Sequence, residues 1–453
     1  MISRILKITI ALVAVVPSLF GQVVMRSEVA PYILRKDAMS GERSVSDNYI
    51  EFTPTAVSTS FGEITREQIL EMPQSWVDAV VYLHLESVGQ GYTLSVNGVQ
   101  VAQCEDSATP TDYNISSYLR VGSNNISLVA RHSELEQLAQ GVEESRRKPL
   151  DGSYIYTQSR LRIMDYCATI SPINDGKDAR LFLDVIVTNS FNYPEQIEVG
   201  FDVYDPAGKL LDFSTTKATV AAGAIDTIRF APYLYDAEKY RWSPDATTGM
   251  QVIGRPTTRF ADQPLYSVML YTKRTGVASG YTPFSVGYFV PEYNGTTLEV
   301  AGKSINLKAI DYNALGGEEQ CEKELQEIKS KGYNTVMPST PQPIWYYQMC
   351  DKVGLYVIDQ AAINAPAGAD DRTLGGSPSN DPKLAGEYLE RVQKMYYRTR
   401  NFSCVVAYSL GSASGNGYNM YKAYQWLKGV ESQRPIIYVG ADGEWNSDYL
   451  TIN

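Results

Sequence analysis

Chemistry at neutral pH draws on imidazoles, thiolates, paired carboxylates or a bound metal. This 453-residue chain is sparing with most of them. Its two histidines, His84 and His132, are too few for a histidine-rich centre, so neither a metal nor a cofactor is expected. Five cysteines, at 104, 167, 321, 350 and 404, are odd in number, widely spaced and without a C-x-x-C pair. They read as small buried apolar side chains, with room for one bridge. A nucleophilic thiolate would need one of the two histidines as its base, which makes cysteine chemistry a poor candidate. Among the acids, Asp359, Asp442, Glu444 and Asp448 fall near expected strand ends, yet 440–448 has no recognisable catalytic spacing and reads as a solvated loop. The glycine-rich GSASGNG (411–417) lacks the Gly-Lys-Ser/Thr that would hold phosphates.

The bulk properties narrow the classes further. Lys plus Arg is 40 against 51 Asp plus Glu, a net charge of −11 with no clustered basic face, which excludes a nucleic-acid partner. Apolar residues make up 44% and charged ones 20%, as in a packed globular protein. Thirty-three tyrosines stand out; they suit aromatic-faced strands or a sugar-binding surface. Residues 1–21 read as an export signal: Arg4 and Lys7, an apolar run from Ile8 to Val16, then Pro17-Ser18-Leu19-Phe20-Gly21. That run is too short to span a bilayer, and no later stretch is long enough.

The elements that must carry any site follow from periodicity. In VVYLHLE (80–86), Val81, Leu83 and Leu85 alternate with Tyr82, His84 and Glu86, a half-buried strand that leaves His84 in solvent. Asn97-Gly98 between alternating runs predicts a tight hairpin. The β-rich pattern to residue 168 predicts a first sandwich over 22–168. Alternation at 181–187 and 199–203, with the turn Asp205-Pro206-Ala207-Gly208, predicts an immunoglobulin-like sandwich over 169–298, interrupted at 236–262. From about residue 305 the period changes. Strands at 305–310, 334–338, 355–359, 404–410, 435–439 and 450–452 alternate with helices at 318–331, 343–353, 381–400 and 419–429.

This order resembles glycoside hydrolase family 2, the β-galactosidase and β-glucuronidase group. The resemblance rests on Asn97-Gly98-Val99 with TDYNISSYLRVGSNNISLVA (111–130), and on Arg241-Trp242-Ser243-Pro244 with Gln263-Pro264-Leu265-Tyr266. It is strongest in PIWYYQMCDKVGLYVIDQAAINAPAG (343–368) and FSCVVAYSLGSASGNGYN (402–419). It implies multidomain β plus α/β architecture: a jelly-roll-like sandwich, an immunoglobulin-like sandwich and a (β/α) barrel over 299–453. Such a barrel typically takes about 250 residues, so 299–453 is expected to supply an incomplete one of about six strands.

The resemblance also implies where catalytic groups belong, and this sequence departs from the pattern there. Retaining glycosidases use two carboxyl groups, one acid/base and one nucleophile. Ala413 stands at the acid/base position and Ser412 at the preceding sugar-binding Asn. Asn364 and Pro366 replace a metal-binding Glu and His, Gln360 follows Asp359 where the family has Asp-Glu, and Asp311-Tyr312-Asn313 lacks the family's His. The nucleophilic Glu belongs to a seventh strand, beyond the six expected. The expectation is therefore an exported member of the family without hydrolase activity, a structural or interaction subunit of a cell-envelope assembly. An open barrel would leave edge strands one and six to a protein partner or a second copy. The alternatives are a non-catalytic glycan-binding protein, with Trp445, Asp359 and Tyr408 as candidate contacts, Tyr346 as a further ring that could line the surface and Trp345 better suited to packing, or an atypical β-glycosidase with a rebuilt site. A signal ending in Phe-Gly before Gln resembles those of Bacteroidetes-type bacteria, which implies periplasm or outer cell surface. It also implies O-glycosylation at Asp106-Ser107-Ala108 and Asp226-Thr227-Ile228.

Overall fold

The computed structural model describes residues 23–43, 48–131, 138–139, 148–244 and 262–453; the export signal, His132 and most of the 236–262 interruption lie outside these. Alternating apolar residues build two five-stranded antiparallel sheets in the first sandwich. Between them lie the buried Leu83, Leu94, Val96, Ile126 and Leu128. Asn97 (φ 52°) and Gly98 (φ 78°) form the expected hairpin turn, joining Gly91–Val96 to Val99–Cys104. The second sandwich packs the sheet of Leu161–Ile173, Asp178–Asn189 and Ile225–Phe230 on a four-stranded partner sheet. Between the long strands Glu195–Tyr204 and Leu210–Val220, Asp205 to Gly208 turns the chain, with Gly208 at φ 84°.

The α/β part follows the change of period. Its strands are β1 (Ala309–Asp311), β2 (Thr335–Met337), β3 (Tyr356–Gln360), β4 (Val405–Ser409) and β5 (Ile436–Ile437). All pair in parallel and in sequence order. Its helices are α1 (Glu318–Ser330), α2 (Ile344–Val353), α3 (Ala385–Thr399) and α4 (Tyr418–Val430). Glu318 and Glu319 open α1 and Lys329 closes it, as the helix dipole favours. Asp381 accepts from the Lys383 N–H, capping a 3-10 turn that leads into α3.

Two expectations need correction here. Strand one's outer edge is not open: the Asn453 N–H donates to the Leu307 carbonyl (2.8 Å) and the Ala309 N–H to the Asn453 carbonyl (3.0 Å). The same tail reaches the other side of the sheet, where the Asp448 N–H meets the Ile436 carbonyl at 2.7 Å. Residues 448–453 thus lie against both edges, and only Ile452, bridged to Leu307, keeps strand pairing. His84 is buried, not solvated, because the strand Ala79–Leu85 is covered on both faces.

Five buried or half-buried thiols are all free; no bridge forms. Many of the tyrosines, among them Tyr82, Tyr113, Tyr156 and Tyr347, are fully buried core residues whose hydroxyls find hydrogen-bond partners. Among the described residues, no helix is long and apolar enough to cross a membrane.

Candidate functional site

In a parallel α/β sheet, loops at the carboxyl ends of the strands form the rim on which ligands act. Here β1, β2, β3 and β4 deliver Asn313, Ser339, Gln360 and Ser412 to that rim, and their side chains interlock. Asn313 Oδ1 accepts from the Ser339 N–H (2.9 Å), the Ser339 hydroxyl (3.1 Å) and Gln342 Nε2 (3.2 Å). Gln360 Nε2 donates to the Ser339 carbonyl (3.0 Å) and to Ser412 Oγ (3.2 Å). The Ser409 hydroxyl returns a bond to Gln360 Oε1 at 3.1 Å. Every member of this network is neutral. An amide–hydroxyl lattice can orient a polar ligand, but it offers no group that exchanges a proton near neutral pH.

One carboxylate lies beneath the rim. Asp359 is fully buried, against the expectation of a sugar contact. The Tyr347 hydroxyl donates to Oδ1 (2.8 Å), and Thr399 Oγ1 lies 2.9 Å from Oδ2. Burial lifts its pKa to about 6, despite the hydrogen bonds that favour the anion. Thr399 Oγ1 is also 2.9 Å from the Met395 carbonyl. One hydroxyl proton cannot serve both acceptors, whereas protonated Asp359 donates to Oγ1 and completes the chain.

The other predicted positions are spread out. Ala413 is exposed on the loop after β4, with a methyl group facing solvent. Asn364 is tied by its N–H to the Leu138 carbonyl (2.7 Å), and Pro366 is exposed two residues on. No group of three His, Cys, Asp or Glu suited to a metal occurs among the described residues. Tyr408 is fully buried: Arg434 donates to its hydroxyl at 3.0 Å and Tyr396 packs on its ring, so it cannot stack on a sugar. Trp345 packs half-buried against the core, as expected, while Tyr346 is fully buried in it and cannot line a sugar-binding surface. Of the loop acids, Glu444 binds Arg372 and the Tyr421 hydroxyl, while Asp448 holds Lys428 and the Tyr424 hydroxyl (2.9 Å). Both are structural struts.

Trp445 keeps the exposure a stacking surface needs, at 55%. Its ring leans on Tyr421 (5.3 Å between centroids) and meets Tyr424 edge-on. The glycine-rich loop has a packing role. A Cβ on Gly411, at φ 139°, would stand 2.6 Å from the Ile363 carbonyl, and one on Gly417 would stand 2.6 Å from that of Ser379. Bare backbone lets the loop lie against 363–380.

Sequence reasoning missed a second set of charged residues, set where the first sandwich meets α3. Asp106 is buried against Arg391 (3.3 Å) and Lys394 (3.8 Å). Close by, Asp112 holds Arg26 (3.2 Å) and His84 (2.7 Å), and Glu86 takes the other imidazole nitrogen. Burial alone would lower the His84 pKa; the bonds to Asp112 and Glu86 outweigh it and raise it to about 10. Ser107, in the expected glycosylation pattern, is buried in this seam and closed to modification, while Thr227 is half-buried. The partners lie up to 285 residues apart.

Comparison with known proteins places this architecture. Residues 313–453 match the family model "Glycosyl hydrolases family 2, TIM barrel domain". A β-galactosidase of Priestia megaterium is 24% identical over 86% of this chain, which spans 38% of that protein. A β-galactosidase of Psychromonas ingrahamii is also 24% identical, over 82% of this chain and 35% of its own length. The chain therefore covers little more than a third of these curated relatives. Among solved structures, a β-glucuronidase of Bacteroides uniformis superposes with a TM-score of 0.67 at 15% identity, covering 83% of this chain and 46% of that one. A protein described as a putative β-galactosidase of Bacteroides fragilis gives 0.67 at 15% identity, over 87% of this chain and 59% of its own. Residues 313–453 thus match the barrel domain of glycoside hydrolase family 2, and over most of its length the chain is similar to β-galactosidases and shares the fold of a β-glucuronidase.

Proposed function

We propose that this chain does not hydrolyse glycosides and serves as an exported recognition or interaction component of a bacterial cell envelope. One observation carries the reading. Position 413, where the resemblance puts the proton donor, is an exposed alanine beside a rim of neutral amides and hydroxyls. General acid–base assistance contributes about 10²- to 10⁴-fold to rate, and a methyl group supplies none of it. Asp359 is no substitute, being sealed beneath the rim by Tyr347 and Thr399.

Purified mature protein incubated with 4-nitrophenyl β-galactoside and β-glucuronide tests this. The expected result is no release of nitrophenol above buffer. Turnover that disappears in Asp359→Asn overturns the reading.

A second reading, glycan binding without cleavage, is favoured by Trp445, whose exposed ring is steadied by Tyr421. Wild-type binding on a glycan array, lost in Trp445→Ala, supports it. An array with no wild-type signal sinks it.

A further inference from the structure

We propose that a single halide ion, chloride under physiological conditions, binds in the seam between the first sandwich and α3, held by Arg26, Lys394 and Arg398. A small cavity of about 10 Å³ opens there, bounded by these three cations and Thr111, with Val24 and Pro110 among its walls. No carboxylate lines it. All three cations are more than nine-tenths buried, at 4%, 3% and 7% exposure.

Two of them are answered elsewhere. Arg26 faces Asp112 at 3.2 Å, and Lys394 faces Glu390 at 2.7 Å. Arg398 is not. Its Nη1 donates to the Gln342 carbonyl (2.9 Å), while Nη2 has no hydrogen-bond partner. A buried guanidinium that forms no ion pair among the described residues carries a desolvation cost that an anion in the adjoining cavity offsets.

The cavity's size selects the occupant. Its volume is about that of one water-sized sphere, too small for sulfate, phosphate or a carboxylate. Water would accept from Nη2 but bring no negative charge to a cavity lined by three cations. The apolar walls of Val24 and Pro110 suit a weakly hydrated ion. Because Arg26 comes from the N-terminal segment and Lys394 and Arg398 from α3, the ion clasps two parts of the molecule together.

Thermal melting of the full-length mature protein in sodium chloride against sodium gluconate, at matched ionic strength from about 10 to 500 mM, reads the linkage. The expected result is a saturable rise in Tm, about 2–4 °C higher in chloride. Crystals grown in bromide should show an anomalous peak between the three cations. Arg398→Gln should abolish the chloride-specific shift. Superimposable chloride and gluconate curves overturn the proposal, as does a bromide map without that peak. A folded Arg398→Gln protein that keeps the whole shift also overturns it. Should Arg398→Gln not fold, the two wild-type measurements still decide.

Discussion

The carboxyl rim of the barrel and the seam behind α3 invert what an enzyme of this shape needs. At the rim, where chemistry would occur, Asn313, Ser339, Gln360 and Ser412 share hydrogen bonds and no charge. At the seam, where nothing needs to react, Asp106, Arg391, Lys394, Asp112, Arg26 and His84 are buried together as ions. Buried charge is tolerated only where partners answer it, and removing one partner exposes the full desolvation cost of the other. Polar groups at the rim are half in water and lose far less. The lesson is that this fold spends its buried electrostatics on joining domains.

The contrast can be broken at the seam first. Asp106→Ala removes the fully buried carboxylate facing Arg391 and Lys394 and leaves them the more exposed Glu387 (3.9 Å) and Glu390 (2.7 Å), so a loss of about 3 kcal/mol is expected by denaturant unfolding, or failure to fold. A loss below about 1 kcal/mol would show that the seam is wetter than its burial implies.

The pH dependence sharpens it next. Asp359 has a raised folded pKa of about 6, so its stabilising contribution is present below the unfolded value near 4 and is lost as pH rises through 6. Wild type minus Asp359→Asn should therefore show a stability difference shrinking by about 2–3 kcal/mol between pH 4 and 7. His84 has the same sign at higher pH. Its contribution is held below the unfolded value near 6.5 and lost as pH rises through about 10, so His84→Gln should flatten the alkaline limb.

At the rim the effects are smaller. Gln360→Ala removes bonds to Ser339, Ser412 and Ser409 and is expected to cost about 1 kcal/mol. Ala413→Glu places a carboxylate on an exposed loop and should change stability by no more than about 0.5 kcal/mol. If Ala413→Glu destabilised as much as Asp106→Ala, the distinction between rim and seam would fail.

Local signals carried much of the fold. The Asn97-Gly98 hairpin, the Asp205–Gly208 turn and the alternation of strands and helices from 309 onward each rest on neighbours in sequence, where turn chemistry and periodicity act. His84 was misread because alternation reports one buried face, and cannot tell that a second layer covers the other. The tail at 448–453 was misplaced for a related reason. An apolar Leu-Thr-Ile marks a strand but not its partner, and its bonds run to Leu307 and Ala309. Of the site, Ala413, Ser412 and Gln360 were legible because they sit inside long motifs, and Asn313 through the short Asp311-Tyr312-Asn313 match. Tyr408 was not, since burial behind Arg434 and Tyr396 is set by helices packed from the outside. The seam was not legible in sequence, because most of its ion pairs join residues far apart in the chain, from Arg26 with Asp112 to Asp106 with Arg391.

The proposed lack of hydrolysis requires that no carboxylate among the described residues of the barrel's rim is poised to attack a sugar. Intact-mass analysis after incubation with cyclophellitol-type aziridines of galactose and glucuronic acid configuration tests it most directly. Such reagents esterify a glycosidase nucleophile and leave solvated or buried carboxylates alone. An unchanged mass is predicted. A single stoichiometric adduct mapped to Asp359, or to any Asp or Glu between 305 and 453, would contradict it.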